Sequence, residues 1–449
     1  MDERPFSGRS LHFIGIGGAG MSGLALVAQA LGARVGGSDR SDSSYCSQLR
    51  AAGIEPAIGH NAANVPQGAE VVVSTAIPED NPELAAARAA GAAILHRGDL
   101  LAELSRMKRT IAIGGTHGKT TTAAMAAHAL REAGRAPAFL IGGELRAARA
   151  NAGWGGGEWA VIEADESDRS FLKLDREVAV VTNVELDHHA TYRSLGELER
   201  AFGEFLAPAT VRVVGAGVEL PETDGAVTFG LETGALRPEG LELHAGGSRF
   251  NVDGAEFELR VPGRHNVMNA LAALAACRAA GLSPAEAAPG LASFSGTTRR
   301  FEGQGRTASG AVVYDDYAHH PTEVRATLEA ARTLEPDRLV ACFQPHLYSR
   351  TRMLAREFGR ALALADLVVV LEIYPARERA EDFPGVSGLL VAAAAADAAG
   401  GRAVWWLPTI DDAERMLRTE LRRGDLVVTL GAGNVDELAR GLVAPEAAR

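Results

Sequence analysis

The sequence has few cysteines, no long apolar run and no excess of positive charge, and each absence excludes a class of protein. Only three cysteines occur in 449 residues, Cys46, Cys277 and Cys342, without CxxC or other metal-type spacing. This predicts reduced thiols and no disulfide framework. No apolar stretch approaches about 20 residues, so we expect no membrane span. The net charge of −12 argues against a general nucleic-acid binder or a protein of anionic membrane surfaces.

What is present is a long chain with alternating strand and helix patterns. The apolar run Leu11–Ile16 is too short for the core of a signal peptide, so we expect a cytoplasmic protein. The length permits two to four domains, and the alternation predicts an α/β fold with parallel sheets. We predict three domains: a Rossmann-like domain at 1–107, a P-loop ATPase-type α/β domain at 108–294, and a second Rossmann-like domain at 295–449.

The strongest local signal is a strand, a glycine-rich turn and a helix start at residues 110–122. The turn reads Gly-Gly-Thr-His-Gly-Lys-Thr-Thr. Backbone N–H groups and the helix dipole would form an anion cradle there. Lys119 would neutralise the β- and γ-phosphates of a nucleotide, and Thr120 would ligate Mg²⁺. Only three residues separate Gly114 from Gly118, so the spacing is not the standard one. The alternative is a structural turn with a surface lysine, which Gly-Lys-Thr-Thr disfavours.

A second glycine-rich turn lies near the N-terminus. Gly15–Gly20 has the GxGxxG pattern between a predicted strand and helix, and Asp39 ends the next strand. This is the dinucleotide-binding fingerprint. By itself it indicates only diphosphate binding at a helix N-terminus, which a sugar nucleotide would also satisfy.

Two acidic clusters follow predicted strands in the central domain. Glu163 comes directly after the strand 159–162, and His188 follows the strand 178–182. The carboxyl ends of parallel strands meet at the edge where α/β sheets bind ligands. Both side chains would therefore reach a metal ion held beside Thr120. Mg²⁺ prefers carboxylate oxygens, and histidine is a less usual ligand. A solvated acidic loop is the alternative.

The remaining patterns are structural by composition. Short runs broken by glycines from Val211 to Val261 predict a small antiparallel β insertion. His265 and Asn266 precede a helix, where asparagine is a good cap. The third domain begins near Ser295 and contains a second doubly wound pattern. Its basic residues, Arg299-Arg300 and the run from His346 to Arg352, are placed at loops and could form a solvated face.

Taken together, these motifs resemble those of the Mur ligases of peptidoglycan synthesis over almost the whole chain. The motifs are Gly-Thr-His-Gly-Lys-Thr-Thr-Thr at 115–122, Glu-Ala-Asp-Glu-Ser-Asp at 163–168, Gly-Arg-His-Asn at 263–266, Asp-Asp-Tyr-Ala-His-His-Pro at 315–321 and Phe-Gln-Pro-His-Leu-Tyr-Ser-Arg-Thr at 343–351. Within the family, Glu166–Phe171 and Gln344–His346 favour the addition of alanine over that of a whole tripeptide.

The resemblance implies an ATP- and Mg²⁺-dependent ligase. It would join L-alanine to the carboxylate of UDP-N-acetylmuramate through an acyl phosphate. The expected partners are these two substrates, with no nucleic acid and no membrane, and the expected assembly is a monomer or weak homodimer in the cytoplasm. Leu347 stands where some relatives have arginine, so the contact to the alanine carboxylate stays open.

The resemblance also implies roles for individual residues. The ATP-binding set comprises Gly115, Thr116, His117, Gly118, Lys119, Thr120, Thr121, His265, Asn266, Asn269, Arg300 and Asp316. The metal ligands would be Thr120, Glu163 and His188. The uridine diphosphate would be held by Gly17, Gly18, Ala19, Gly20, Asp39, His60 and Ser74. The catalytic set comprises Lys119, His188, His319 and Arg350, with His188 or His319 as the general base.

Two other functions are compatible with parts of the sequence. A nicotinamide-dependent dehydrogenase would explain Gly15–Gly20 but not Gly118-Lys119-Thr120. A non-catalytic nucleotide sensor with ligase ancestry would be expected to lose its metal or phosphate contacts. Lys119 and Glu163 are both present, which disfavours it.

Overall fold

The N-terminal sheet has five parallel strands in the order β3-β2-β1-β4-β5. The computed structural model describes residues 4–189 and 191–443. The strands are β1 (Ser10–Ile14), β2 (Arg34–Asp39), β3 (Ala57–Ile58), β4 (Glu70–Val73) and β5 (Ile94–His96), and the helices are α1 (Ala19–Ala30), α2 (Ser44–Ala51), α3 (Pro82–Ala89) and α4 (Arg97–Ser105). The predicted Rossmann-like sheet is confirmed, and β3 and α4 are additional.

The central sheet has seven strands in the order β12-β11-β10-β6-β9-β7-β8, and only the edge strand β8 is antiparallel to its neighbour. The strands are β6 (Arg109–Gly114), β7 (Ala138–Leu145), β8 (Ala150–Gly153), β9 (Trp159–Glu163), β10 (Val178–Val181), β11 (Val211–Gly215) and β12 (Val227–Phe229). The helices of this part are α5 (Lys119–Glu132), α6 (Leu195–Leu206), α7 (Arg264–Ala279) and α8 (Pro284–Ser293).

The predicted β insertion is therefore wrong in its first half. Val211–Gly215 and Val227–Phe229 pair in parallel and extend the central sheet. Only β13 (Glu239–His244), β14 (Gly247–Val252) and β15 (Ala255–Leu259) form a separate sheet. Two residues join each consecutive pair, a connection that only antiparallel neighbours permit. Short edge strands of a parallel sheet and hairpin strands look alike in sequence, because both are half buried and broken by glycine.

The C-terminal sheet has six strands in the order β16-β17-β21-β18-β19-β20, with β16 antiparallel and the others parallel. The strands are β16 (Glu302–Arg306), β17 (Val312–Asp316), β18 (Arg338–Phe343), β19 (Leu367–Val370), β20 (Ala403–Trp406) and β21 (Asp425–Leu430). The helices are α9 (Pro321–Arg332), α10 (Tyr348–Leu362), α11 (Gly388–Ala398), α12 (Ile410–Glu420) and α13 (Asp436–Val443). The basic run from His346 thus enters α10 and is not a loop.

The N-terminal and central sheets belong to one compact unit, and the C-terminal sheet lies in a second. In the first unit one apolar cluster continues from one sheet to the other. The Asn151 amide of β8 donates to Ala19 O at 2.6 Å and to Ser22 Oγ at 3.0 Å, which ties α1 to the central sheet. Among the described residues, no helix has the length and apolar character needed to cross a bilayer.

Candidate active site

The predicted phosphate loop connects β6 to α5 and is shaped by two glycines in the left-handed region. Gly115 has φ +122° and Gly118 has φ +81°. A Cβ at Gly115 would overlap Thr182 Oγ1, and one at Gly118 would overlap Asn269 Oδ1. Both positions therefore require glycine for conformation and for space. Asn269 lies behind this loop.

The loop is held by the segment that follows β10. The His117 N–H donates to Asn183 Oδ1 at 2.9 Å, and Thr116 Oγ1 donates to Glu185 O at 2.9 Å. Thr182 Oγ1 donates to His117 O at 2.6 Å. These bonds fix the loop without any ligand. The first turn of the following helix leaves its N–H groups without intrahelical partners, which suits an anion.

Lys119 at the start of α5 lies over the loop. Its Nζ donates to Gly115 O and Thr116 O at 2.6 and 2.9 Å and pairs with Glu166 at 2.9 Å. Burial acts to lower the pKa of Lys119, but neighbouring carboxylates, foremost Glu166, raise it above its ordinary value. The side chain is thus a permanent cation at the place where phosphates would bind.

Glu166 also binds His188 and was missed by the sequence analysis. His188 Nε2 lies 3.3 Å from Glu166 Oε1, and the Glu166 side chain is only 1% exposed. Burial opposes the charge on His188, but the bond to Glu166 raises the pKa of the imidazole. The signal for Glu166 in the sequence is the acidic cluster 163–168, where the strand end distinguishes Glu163 and no local pattern distinguishes Glu166.

Thr120 and Glu163, two of the three predicted metal ligands, lie together. Thr120 Oγ1 donates to Glu163 Oε1 at 2.9 Å, and the other carboxylate oxygen accepts from Gly142 N at 2.6 Å. A hydroxyl and a carboxylate beside a phosphate loop are the hard oxygen donors that Mg²⁺ prefers. His188 is directed to Glu166 and would have to leave it to bind the same ion through Nε2.

The predicted diphosphate turn is also braced by its own side chains. Asp39 Oδ2 accepts from Gly17 N at 2.9 Å, and Ser43 Oγ donates to Gly17 O at 2.8 Å. A Cβ at Gly17 would lie 2.8 Å from Cys46 Sγ. Asp39 thus shapes the turn itself. His60 and Ser74 follow β3 and β4, so they share the carboxyl edge of the sheet with the turn.

Arg97 joins the N-terminal part to the acidic cluster. Its guanidinium binds Asp165 at 2.8 Å and Asp168 at 2.9 Å, and Asp168 is only 4% exposed. Its Nη1 would lie 3.3 Å from a Cβ at Gly20. One cation therefore connects the predicted diphosphate turn to the cluster that contains Glu166.

In the second unit, Asp316 is a buried carboxylate at the end of β17. It accepts N–H groups from Phe301 at 2.8 Å and Ala318 at 2.7 Å. Burial nevertheless raises the pKa of Asp316 to about 6.

Arg300 lies 3.7 Å from Glu323. Burial, assisted by Arg300, lowers the pKa of His265 to about 4.

His265 and Asn266 do not cap α7, because that helix begins at Arg264. They lie in its first turn, where the Asn266 amide donates to Pro262 O at 2.7 Å. The prediction of a capping role is therefore wrong. Arg299 does not belong to a solvated face. It pairs with buried Asp315 at 2.9 Å and is structural.

His319 and Arg350 are brought near each other through His346. The His319 and His346 rings are 5.9 Å apart, and His346 Nδ1 lies 3.2 Å from Arg350 Nη1. His319 Nδ1 lies 2.9 Å from Tyr317 O. Leu347 follows His346 in the sequence. Its side chain is buried, and its backbone has φ +69°. Such a backbone is costly for leucine and is typical of functional sites.

Comparison with known families covers most of the chain. Residues 10–109 match the model of the Mur ligase family, catalytic domain; residues 113–277 match the Mur ligase middle domain; and residues 299–433 match the Mur ligase, glutamate ligase domain.

Individual relatives extend this similarity to full length. The chain is 46% identical to the UDP-N-acetylmuramate–L-alanine ligase of Streptomyces coelicolor over 95% of each chain. A solved UDP-N-acetylmuramate–alanine ligase from Thermotoga maritima superimposes with TM-score 0.85 at 31% identity, covering 97% of this chain and 98% of the other. A murein peptide ligase from Psychrobacter arcticus gives 0.71 at 25% identity, covering 98% and 100%. The chain therefore belongs to the Mur ligase family.

Proposed function

We propose that the chain uses ATP to join L-alanine to the carboxylate of UDP-N-acetylmuramate in peptidoglycan precursor synthesis. The observation that carries this function is the 46% identity to an alanine-adding ligase over 95% of both chains. The higher structural similarity to an alanine ligase than to a murein peptide ligase agrees with it.

The chemistry requires activation, because a carboxylate has no good leaving group. Transfer of the γ-phosphate of ATP to the carboxylate would make an acyl phosphate, and catalysis of that step is mostly positioning and charge neutralisation. Lys119 and the first turn of α5 would hold the phosphates. Thr120 and Glu163 would hold Mg²⁺, which when bound supplies charge neutralisation at the phosphate oxygens.

The second step needs a base for the alanine amine, and His188 and His319 are the two candidates. His319 Nδ1 lies 2.9 Å from Tyr317 O and 3.5 Å from Glu323 Oε2, and both oxygens accept, so this nitrogen carries a proton. His188 faces Glu166 in the same way, and that contact favours its protonated form. Attack of the neutral amine on the acyl phosphate would then form the amide and release phosphate.

We also propose a cytoplasmic location, small-molecule partners only, and a monomer or weak homodimer. The domain boundaries 1–107, 108–294 and 295–449 and the residue roles predicted from the sequence remain part of this proposal.

The experiment is phosphate release from ATP with UDP-N-acetylmuramate and each of the twenty amino acids, with the tripeptide of murein recycling as a further acceptor. We expect L-alanine to give the highest rate. A higher rate with the tripeptide would replace the proposal by the recycling activity. Borohydride added before alanine should trap the acyl phosphate as a primary alcohol. Starting from ¹⁸O-carboxylate, one labelled oxygen should appear in the released inorganic phosphate, and phosphate without label would refute the acyl phosphate.

A further inference from the structure

A fully buried carboxylate, Glu83 of α3, lies beneath the predicted diphosphate turn. Its Oε2 accepts from His12 Nε2 at 2.8 Å and from Ser38 Oγ at 2.7 Å. Its Oε1 accepts from Asn61 N at 3.1 Å and from Asn64 Nδ2 at 2.8 Å. Burial acts against the charge, but these bonds hold the pKa of Glu83 at about 2. The group is therefore an ionised acceptor at neutral pH.

Ser38 connects this carboxylate to the turn and to His60. Its backbone oxygen accepts the N–H groups of Gly15 and Ile16 at 2.8 and 2.9 Å, so it anchors the start of the turn. Its Oγ lies 3.0 Å from His60 Nδ1. The same serine thus positions both the glycine turn and the imidazole.

The protons in this network can be assigned by counting donors. An ionised carboxylate has no proton, so Ser38 must donate its single hydroxyl proton to Glu83. Ser38 Oγ can then only accept from His60, which requires the proton of a neutral imidazole to be on Nδ1. His60 Nε2 is left as the acceptor. The side chain is 19% exposed, and within residues 4–189 and 191–443 no bond to Nε2 is found.

We propose that Glu83 is a positioning residue for substrate binding, which through Ser38 holds His60 in the Nδ1–H form so that Nε2 accepts a hydrogen bond from a hydroxyl or N–H group of the UDP-sugar. This role rests on the proposed function. Glu83 lies 45 positions from Ser38 in the sequence. It would affect the substrate only through Ser38 and His60.

Glu83→Gln should remove the charge that fixes these protons. The amide oxygen would replace Oε1, which accepts two N–H groups and lies 3.4 Å from His60 Nδ1, and the amide NH₂ would face Ser38 and His12. Ser38 would then accept from the amide and donate its proton to His60 Nδ1, so that the share of the Nε2–H imidazole rises. A matched control is Asn64→Ala, which removes one bond to the same carboxylate and one to Gly59 O but keeps the charge of Glu83 and its bond to Ser38.

The first measurement is the ring ¹⁵N spectrum of His60 in the free full-length protein, which needs no variant and no substrate. We expect a protonated Nδ1 and a bare Nε2 in the unmodified chain and in Asn64→Ala, and a larger share of the Nε2–H form in Glu83→Gln. A protonated Nε2 in the unmodified chain would overturn the proposal, as would a doubly protonated ring with UDP-N-acetylmuramate bound.

The second measurement is calorimetric binding of UDP-N-acetylmuramate in a double-mutant cycle. Loss of one hydrogen bond should weaken binding by about tenfold in Glu83→Gln and in His60→Ala. The two effects should not add, because both remove the same contact. Additive losses would make Glu83 merely structural. Failure of the unmodified chain to bind this ligand would overturn the proposed function and with it the role of His60, whereas a wrong tautomer in a chain that binds would overturn only the role of Glu83.

Discussion

The Lys119 ammonium and the Glu166 carboxylate lie 2.9 Å apart in the predicted phosphate site. Both side chains are largely buried. The charge of each therefore offsets the free-energy cost of burying the opposite charge of the other. A nucleotide phosphate that binds Lys119 must compete with this carboxylate and with the two loop carbonyls. The pair therefore sets the orientation of the lysine before ATP arrives and makes Glu166 part of the site.

Replacing Lys119 by alanine should reduce ligation to a small residual rate. The missing cation should lower kcat by about 100-fold to 1,000-fold, the range seen when one charge-stabilising donor is lost. Binding of UDP-N-acetylmuramate, measured by calorimetry, should stay nearly unchanged because the predicted sugar-nucleotide residues lie elsewhere. Lys173→Ala is the matched control, since Lys173 is exposed and, within the described part of the chain, its ion pair is with Asp99. Near-normal turnover in Lys119→Ala would reject the phosphate-loop assignment.

Replacing Glu166 by glutamine should lower kcat by about 10-fold to 100-fold, the usual cost of losing a supporting hydrogen bond behind a catalytic group. The reason is that the glutamine amide is neutral, so it cannot accept from both Lys119 and His188 as the carboxylate does. Steady-state kinetics with saturating substrates measures the effect, and Glu204→Gln, an exposed glutamate of α6 that pairs with Arg169, is the control. If kcat is unchanged, Glu166 contributes only to folding.

Replacing Thr120 by alanine should raise the Mg²⁺ concentration needed for half-maximal activity by about tenfold, with recovery at high Mg²⁺. The hydroxyl that lies 2.9 Å from Glu163 would be missing. Thr120→Ser keeps the hydroxyl and should behave like the unmodified chain. Equal Mg²⁺ titrations for the alanine and serine variants would remove Thr120 from the metal site.

Replacing Arg97 by glutamine should destabilise the first unit. Asp168 is almost fully buried and would lose its cation, which costs about 3 kcal/mol in comparable buried pairs. Urea unfolding followed by intrinsic fluorescence measures the shift of the midpoint. Arg50→Gln is the control, because Arg50 pairs with the exposed carboxylates of Asp42 and Glu55 and its loss should not move the transition. Equal midpoints for the two variants would contradict a structural role for Arg97.

Asp316 should make stability depend on pH. Its pKa is raised from an ordinary 3.8 to about 6, so the folded chain binds this proton more tightly than the unfolded chain does. Below about pH 4 both states are protonated, and above about pH 6 neither is. This group's contribution to the free energy of unfolding therefore falls as pH rises from about 4 to 6, by about 3 kcal/mol at most.

Asp316→Asn cannot ionise, so it should lack this loss. The difference between its urea midpoint and that of the unmodified chain should become more positive from pH 4.5 to pH 7. A difference independent of pH would show that the carboxyl group titrates normally.

Local sequence patterns were enough to locate the strand, the turn and the helix start of the predicted phosphate loop. A strand that ends at Gly114, a turn that requires Gly115 and Gly118, and a helix that begins at Lys119 are each encoded by adjacent residues. The same holds for Gly15–Gly20 and for the strand ends at Glu163 and Asp316. In a parallel sheet, the end of a strand places a residue at the ligand-binding edge whatever the rest of the chain does.

The insertion and the caps were predicted less well. The edge strands β11 and β12 have no pattern that separates them from a hairpin, because their partner strand decides their direction. His265 and Asn266 are typical capping residues, but α7 begins one residue before His265. Such boundaries depend on contacts that a local pattern does not contain.

The sequence by itself determined the family, the class of fold and the loop at which phosphate would bind, because these depend on short runs of residues and on their spacing. Only the tertiary structure decided that Glu166 holds Lys119 and His188, that Arg97 joins the predicted diphosphate turn to the acidic cluster, and that Ser38 lies between Glu83 and His60. These partners are brought together by packing over long separations in the chain, and a buried charge acquires its meaning only from the groups that surround it.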